Sequence, residues 1–298
     1  MRLVTRGDLD GLTSAVLITS VEPIERIDLV HPQEITNKTF PITPDDILAN
    51  IPYHPNCGKW FDHHLLTDSN EKPAANFVGL YALAPSAARV IYEYYLPLNP
   101  DLRRFEDLVA ATDRLDAAQL TREDVLEPRG YILLGFTLDP RTGLGIFKDY
   151  FLQLTDWLKT KTIAEILDEP EVSERIDKIR QQDLEFREAT MAHSWMVGNV
   201  VITDFRDLSP VPVGNRFLVY TLFPKANVSL RIHWGPNRET VAVAVGHSIF
   251  NRTSNTIVGD LMSEYGGGGH KGAGTCLLPR VHADAHIAEI VKRLRADG

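Results

Sequence analysis

A short strand that empties into an acidic loop and then an apolar helix constrains this chain more than any other stretch. Arg2–Thr5 reads as the strand, Arg6-Gly7-Asp8-Leu9-Asp10-Gly11 as the loop, and Leu12–Ser20 as the helix. Thr13 and Ser14 stand in the first turn, with Ala15, Val16, Leu17 and Ile18 packing behind. In an open α/β sheet, ligands gather where strands end and helices begin, and a helix N-terminus favours an anion. Asp8 and Asp10 lie close together between glycines. Two such acids repel unless a cation lies between them. On this loop alone a pair of helix-capping acids is an equally good reading.

Further strands are expected at Ile24–Val30 and Asp46–Ile51, with helical periodicity over Phe77–Leu96 and Phe105–Thr112. Pro85-Ser86 marks a break or a first turn within the former. Strands alternating with helices predict a mainly parallel sheet covered on both faces. Between them lies Phe61-Asp62-His63-His64, after the turn Tyr53-His54-Pro55-Asn56-Cys57-Gly58. Carboxylate and neutral imidazole are ligands for Mn, Zn or Fe. Taken alone, that tripeptide is more simply a solvated polar turn. The helical run from Phe105 ends in Asp113-Arg114-Leu115-Asp116-Ala117.

The second half changes character. Tyr131–Phe136 is an apolar run best read as core, and Arg141 in the next loop is best read as an ion-pair partner. Phe151–Leu167 and Val172–Ala192 read as helices, the latter long, charged and linking. From Gly198 onward strands are expected at Val200–Ile202, Phe217–Phe223, Val228–Trp234 and Val241–Val245, then a helix over Val258–Tyr265 and a strand over Thr275–Leu278. Alternation in Ser229–Trp234 puts Ser229, Arg231 and His233 on one face. Gly266-Gly267-Gly268-Gly269-His270-Lys271 leaves backbone N–H groups free to approach an anion. These shifts place the domain boundary near 190–197, giving 1–192 and 193–298.

A net charge of −9 over 298 residues argues against gripping long duplex nucleic acid, while leaving room for a small anion in a local pocket. Cys57 and Cys276 form no CxxC pair and read as reduced thiols of a cytoplasmic protein. No apolar run is long enough to span a membrane.

The strand followed by Asp8-Leu9-Asp10-Gly11, the early helical Ser14, Asp62-His63-His64, the later Asp113 and the Gly-Gly-Gly-Gly-His run ending at His270 together resemble the DHH phosphoesterase superfamily and its associated C-terminal domain. The resemblance implies an α/β fold: an N-terminal, mainly parallel sheet flanked by helices, a long linking helix, and a smaller C-terminal substrate-binding α/β domain with a mixed sheet. It implies a metal-dependent phosphoesterase acting on the end of a small anionic substrate such as a short oligonucleotide or a pAp-like nucleotide. Polyphosphate is an alternative substrate, and a nucleotide-binding protein without hydrolysis is a second alternative.

Carried over residue by residue, Asp8 would bind one ion, and Asp10, His63 and Asp113 the other. His64 would meet a substrate phosphate and Asp62 would orient a histidine. Arg231, Arg252, Ser254, Asn255, Gly267, Gly268, Gly269 and His270 would contact substrate. The implied cofactor is Mn2+, with Mg2+ as an alternative, and one or two ions. Implied partners are the small anion and, as one option, a second copy in a homodimer. The sequence departs from the family in two places. Arg6 stands where an imidazole is expected, and Asn50 stands where a metal-bridging Asp is expected. Arg6 is therefore expected to act as a fixed cation in place of part of a metal site. His31 and His54 are weaker candidates for replacement ligands than for ordinary surface or core histidines.

Overall fold

A computed structural model of the chain describes residues 1–66, 71–138 and 147–298; the loop holding Arg141 lies outside them. The structure divides into two compact units, Met1–Leu120 with Pro128–Asp177, and Thr121–Glu127 with Lys178–Gly298. The division falls inside a helix rather than after it.

In the first unit β1 (Arg2–Thr5), α1 (Leu9–Thr19), β2 (Arg26–Leu29), α2 (Pro32–Thr36), β3 (Asp46–Ala49), β4 (Lys59–Asp62) and β5 (Gly79–Tyr81) precede α3 (Ala87–Tyr95) and α4 (Glu106–Asp116). α5 (Arg122–Leu126) belongs to the second unit; α6 (Gly130–Phe136), α7 (Phe147–Thr160) and α8 (Ile163–Leu167) return to the first. The five strands are all parallel, in the order β2-β1-β3-β4-β5. Neighbouring residues on each strand point to opposite faces. Leu3, Ile47 and Phe61 join the cluster formed with α1, α3, α4 and α7. Val4, Leu48 and Trp60 join the opposite cluster with Ile35, Ile42, Ile51 and Tyr53. Both faces are apolar, so the strands lack the alternation of a half-exposed sheet. The strand order reverses direction between β1 and β3, which leaves a crevice outside their carboxyl ends. Arg6, Asp8 and Asn50 follow those two ends.

α9 (Pro170–Ala192) begins in the first unit, where Val172 and Ile176 enter the core, and ends in the second, where Phe186 packs on Phe205. The second unit then runs β6 (Ser194–Val197), β7 (Val200–Asp204), α10 (Leu218–Leu222), β8 (Val228–Trp234), β9 (Thr240–His247), α11 (Val258–Ser263), β10 (Gly268–His270), β11 (Ala273–Pro279) and α12 (Ala283–Ala296). Its sheet order is β10-β11-β9-β8-β7-β6, with β7 and β8 parallel and the other pairs antiparallel. Alternate residues Leu230, Val243, Val245, Cys276 and Leu278 pack with α11 and α12 residues such as Leu261, Ile290 and Leu294.

Three expectations are corrected. Phe217–Phe223 forms helix α10, not a strand: Leu218, Val219, Tyr220 and Thr221 are all buried, and a short apolar run buried on every side has no period to tell the two apart. The helix expected over Phe77–Leu96 is β5 followed by α3, which starts where Ser86 caps it after Pro85. α1 starts at Leu9, because Asp8 is its cap, so Asp10 sits inside the helix rather than in a loop.

Candidate metal centre

Four segments bring the charged groups of the first unit together. At the end of β1, Asp8 caps α1 by accepting from the Gly11 amide at 2.9 Å. The same oxygen accepts from Asn50 Nδ2 at 3.0 Å, and the other oxygen pairs with Arg6 Nε at 3.1 Å. Asn50 follows β3 with a left-handed φ of 58°, a conformation that Asn tolerates better than most residues. It is fully buried, and its Oδ1 has no hydrogen-bond partner.

Asp10, in the first turn of α1, is buried against the start of α3. Ala87 and Ala88 are the first two residues of α3, whose amides have no partner within the helix. They donate to Asp10 Oδ2 at 2.9 Å and Oδ1 at 2.7 Å. Burial and the nearby charges of Asp116 and Asp8 push the Asp10 carboxyl well above the usual range, against the opposing pull of the two amides. Burial likewise raises Asp116, against His63.

β4 delivers the Asp62-His63-His64 run. Asp62 Oδ1 accepts from the His63 amide at 2.9 Å and from His64 Nδ1 at 2.7 Å. Burial alone would lower the His64 pKa, but the Asp62 bond and charge raise it above the ordinary imidazole value. His63 turns the other way. Its Nδ1 donates to the Ala84 carbonyl at 3.0 Å, which orients the ring and leaves Nε2 to face the other way. That Nε2 is buried without a hydrogen-bond partner. It lies 3.6 Å from Asp10 Oδ2 and 3.4 Å from Asp116 Oδ2. A ring nitrogen without a hydrogen-bond partner, facing two carboxylates, is a donor set for a cation. Asp10, His63 and Asp116 converge closely enough to share an ion, as do Asp62, His63 and His64. In the latter group the Asp62–His64 hydrogen bond already occupies Nδ1, so the former fits an ion better.

The expected ligand Asp113 is not in this group. Its Oδ1 accepts from Ser86 Oγ at 2.6 Å, and its Oδ2 from Arg89 Nε and Nη2 at 2.9 and 2.7 Å. The acid that faces His63 is Asp116, three residues on along α4; the only signal for it in the sequence was a second carboxylate at that spacing. His31 and His54 are both elsewhere. His31 caps α2, and His54 Nδ1 accepts from the Asn56 amide at 3.2 Å.

The remaining candidates lie in the second unit. Arg231 sits on β8 in register with Thr203 and Ala244. Arg252 Nε donates to the Ile249 carbonyl at 3.0 Å. Ser254 Oγ is buried without a hydrogen-bond partner, while the Asn255 amide donates to the Asp297 carbonyl at 3.1 Å. Gly268, Gly269 and His270 pair with β11. A Cβ on Gly267 would stand 2.0 Å from the Thr275 carbonyl oxygen, so only glycine passes there. The glycine run is thus part of a sheet edge rather than a linker. His270 is exposed, with its Nδ1 accepting from the Gly272 amide at 3.2 Å.

No family model and no curated protein matches the sequence. Solved structures do. A pGpG-specific phosphodiesterase, PggH, from Vibrio cholerae is 38% identical, covers 100% of this chain and 99% of its own, and superposes with a TM-score of 0.88. The chain belongs to the DHH phosphoesterase family. A DHH-domain structure from a member of a family of ribosomal proteins matches at TM-score 0.56 and 16% identity over 99% of this chain and 86% of its own. RecJ from Thermus thermophilus, solved with Mn2+, matches at TM-score 0.56 and 12% identity over 97% of this chain and 51% of its own. These last two show the DHH fold alone. As a DHH protein the chain is a metal-dependent phosphoesterase, with a group of acids and a histidine able to hold a metal ion. Among the described residues no helix is long and apolar enough to cross a membrane.

Proposed function

We propose that the chain hydrolyses a phosphodiester bond in a short linear oligonucleotide, with a dinucleotide of the pGpG type as the leading substrate. The whole-length 38% identity to a pGpG-specific enzyme supports the substrate. The buried, unpartnered Nε2 of His63 between Asp10 and Asp116 carries the chemistry. Those three residues would hold one divalent ion, Mn2+ in this reading, with Mg2+ as the alternative. Such an ion supplies charge for the phosphoryl oxygens and lowers the pKa of a water.

The chain's own residues do the rest. Asp62 fixes the His64 ring through Nδ1, leaving Nε2 to meet a substrate phosphate and to hold a proton there. Arg6 offers a planar fork to a phosphate oxygen pair. Both oxygens of Asp8 are engaged by Arg6, Asn50 and the Gly11 amide. Asp8 therefore suits a role in anchoring Arg6 better than one as the ligand of a second ion. Arg231, Arg252, Ser254, Asn255, Gly267, Gly268, Gly269 and His270 are proposed to bind the substrate.

The test is a hydrolysis panel on the purified protein with Mn2+: pGpG, short RNA, pAp, cyclic dinucleotides and polyphosphate. Release of mononucleotide from pGpG and short RNA is expected. Cleavage of polyphosphate with none of the oligonucleotides would overturn the substrate assignment.

A further inference from the structure

Asp113 is half-buried at the centre of the hydrogen-bond network that supports the metal group, yet its carboxylate is turned away from that group. Ser86 is the cap of α3: its Oγ accepts from the Arg89 amide at 3.0 Å and donates to Asp113 Oδ1 at 2.6 Å. One turn along α3, Arg89 lays Nε and Nη2 on Asp113 Oδ2 and reaches Glu106 with Nη1 at 3.3 Å. Asp113 thus grips the first turn of α3 at two points. That same turn presents the Ala87 and Ala88 amides, which hold one oxygen of Asp10 each. Asp116 rides on the same helix as Asp113, one turn later. One carboxylate ligand is therefore oriented by α3 and the other is carried by α4, and Asp113 is the clasp between the two helices.

We propose that Asp113 is a positioning residue: acting through Ser86 and Arg89, it sets the orientation of Asp10 and its separation from Asp116, without touching the ion. The two α3 amides take one lone pair on each oxygen of Asp10, which fixes the direction of the lone pair left on each for a cation. If the clasp opens, the amides shift and Asp10 rotates. Outer partners of this kind are worth about 10–100-fold in metal affinity. The inference rests on the metal reading given under the proposed function, which His63→Ala tests separately.

The experiment is a titration of full-length protein with Mn2+, following free Mn2+ by electron paramagnetic resonance, alongside thermal unfolding of the metal-free protein. The variants are Asp113→Ala, Ser86→Ala, Ser86→Thr, the Asp113→Ala/Ser86→Ala pair, and His63→Ala. Ser86→Ala and Asp113→Ala should each raise Kd by about 10–100-fold while still taking up one ion at saturation. Ser86→Thr, whose hydroxyl can both cap and donate, should return to the wild-type Kd. The double variant should equal the worse single one, because both act through the same clasp. Two results overturn the proposal. One is Asp113→Ala losing the ion outright while Ser86→Ala binds as wild type, which would make Asp113 a direct ligand. The other is both variants melting lower with Kd unchanged, which would make the clasp a matter of stability only. If His63→Ala binds Mn2+ as wild type does, the metal reading itself falls and the clasp with it.

Discussion

Replacing His63 by alanine separates the metal's contribution from the fold's. In the metal-free protein two effects oppose each other. The variant loses the Nδ1 bond to the Ala84 carbonyl, worth about 1 kcal/mol. It also removes a buried ring nitrogen with no hydrogen-bond partner, which carries a penalty of about 1–3 kcal/mol. The net change should be about 1 kcal/mol, or roughly 2–4 °C for a unit of this size. With Mn2+ at about a hundred times the wild-type Kd, binding adds about 2.7 kcal/mol, raising the melting temperature by roughly 5–10 °C. Deleting one of three ligands should cost at least about the hundredfold that bounds the loss of an outer partner. At the same Mn2+ concentration the variant then retains only about 0.4 kcal/mol, or roughly 1–2 °C. The assay is unfolding followed by circular dichroism, in EDTA and in Mn2+, for both proteins. An equal Mn2+-induced shift in the two would refute the assignment of Nε2 to the ion.

Metal content should be one ion per chain by elemental analysis after equilibration with Mn2+; two would end the idea that Arg6 and Asp8 replace a second site. Asp62→Asn keeps an acceptor for Nδ1 but removes the charge that helps raise His64, so the imidazole titration followed by NMR should move to lower pH; an unchanged titration would show that the Asp62 charge does not set it. His270→Ala should weaken affinity for pGpG and leave Mn2+ affinity unchanged, and the reverse pattern in paired titrations would remove it from the substrate contacts. The Asp46 carboxyl is raised by burial but pulled lower overall by Arg2, whose Nε donates to it at 2.7 Å. Its stabilisation is therefore full above the ordinary value of 3.8 and lost as pH falls through the depressed folded value. Asp46→Asn should be less stable than wild type at neutral pH, with the difference shrinking in acid-unfolding curves; a constant gap would refute it.

The sequence by itself determined the kinds of element and the chemistry carried at their ends. The run from Arg2 to Thr19 is strand, capped turn and helix because Asp8 is a capping residue and the apolar residues on either side of it, Leu3 and Val4 before and Leu12 and Ala15–Ile18 after, are buried. The parallel sheet followed from strands alternating with helices. The Asp62-His63-His64 stretch alone reads as a polar turn; its order and spacing with the acidic loop and the glycine run are what pointed to a site. What the sequence left open was direction. Asp113 and Asp116 differ by about 60° around the α4 axis and about 4.5 Å along it. Which of them meets His63 depends on how α4 is rotated, and that is fixed by contacts far away in sequence. Leu108 and Val109 enter the core, and Thr112 Oγ1 bonds Thr13 Oγ1 at 2.7 Å. That rotation leaves Asp113 to Ser86 and Arg89 of α3 and turns Asp116 to His63. The same holds for α10, whose residues Leu218, Val219, Tyr220 and Thr221 are all buried and so carried no period to mark them as helix. Periodicity records which face of an element is buried, and where every face is buried, or where two acids share one face, only the packed neighbours decide.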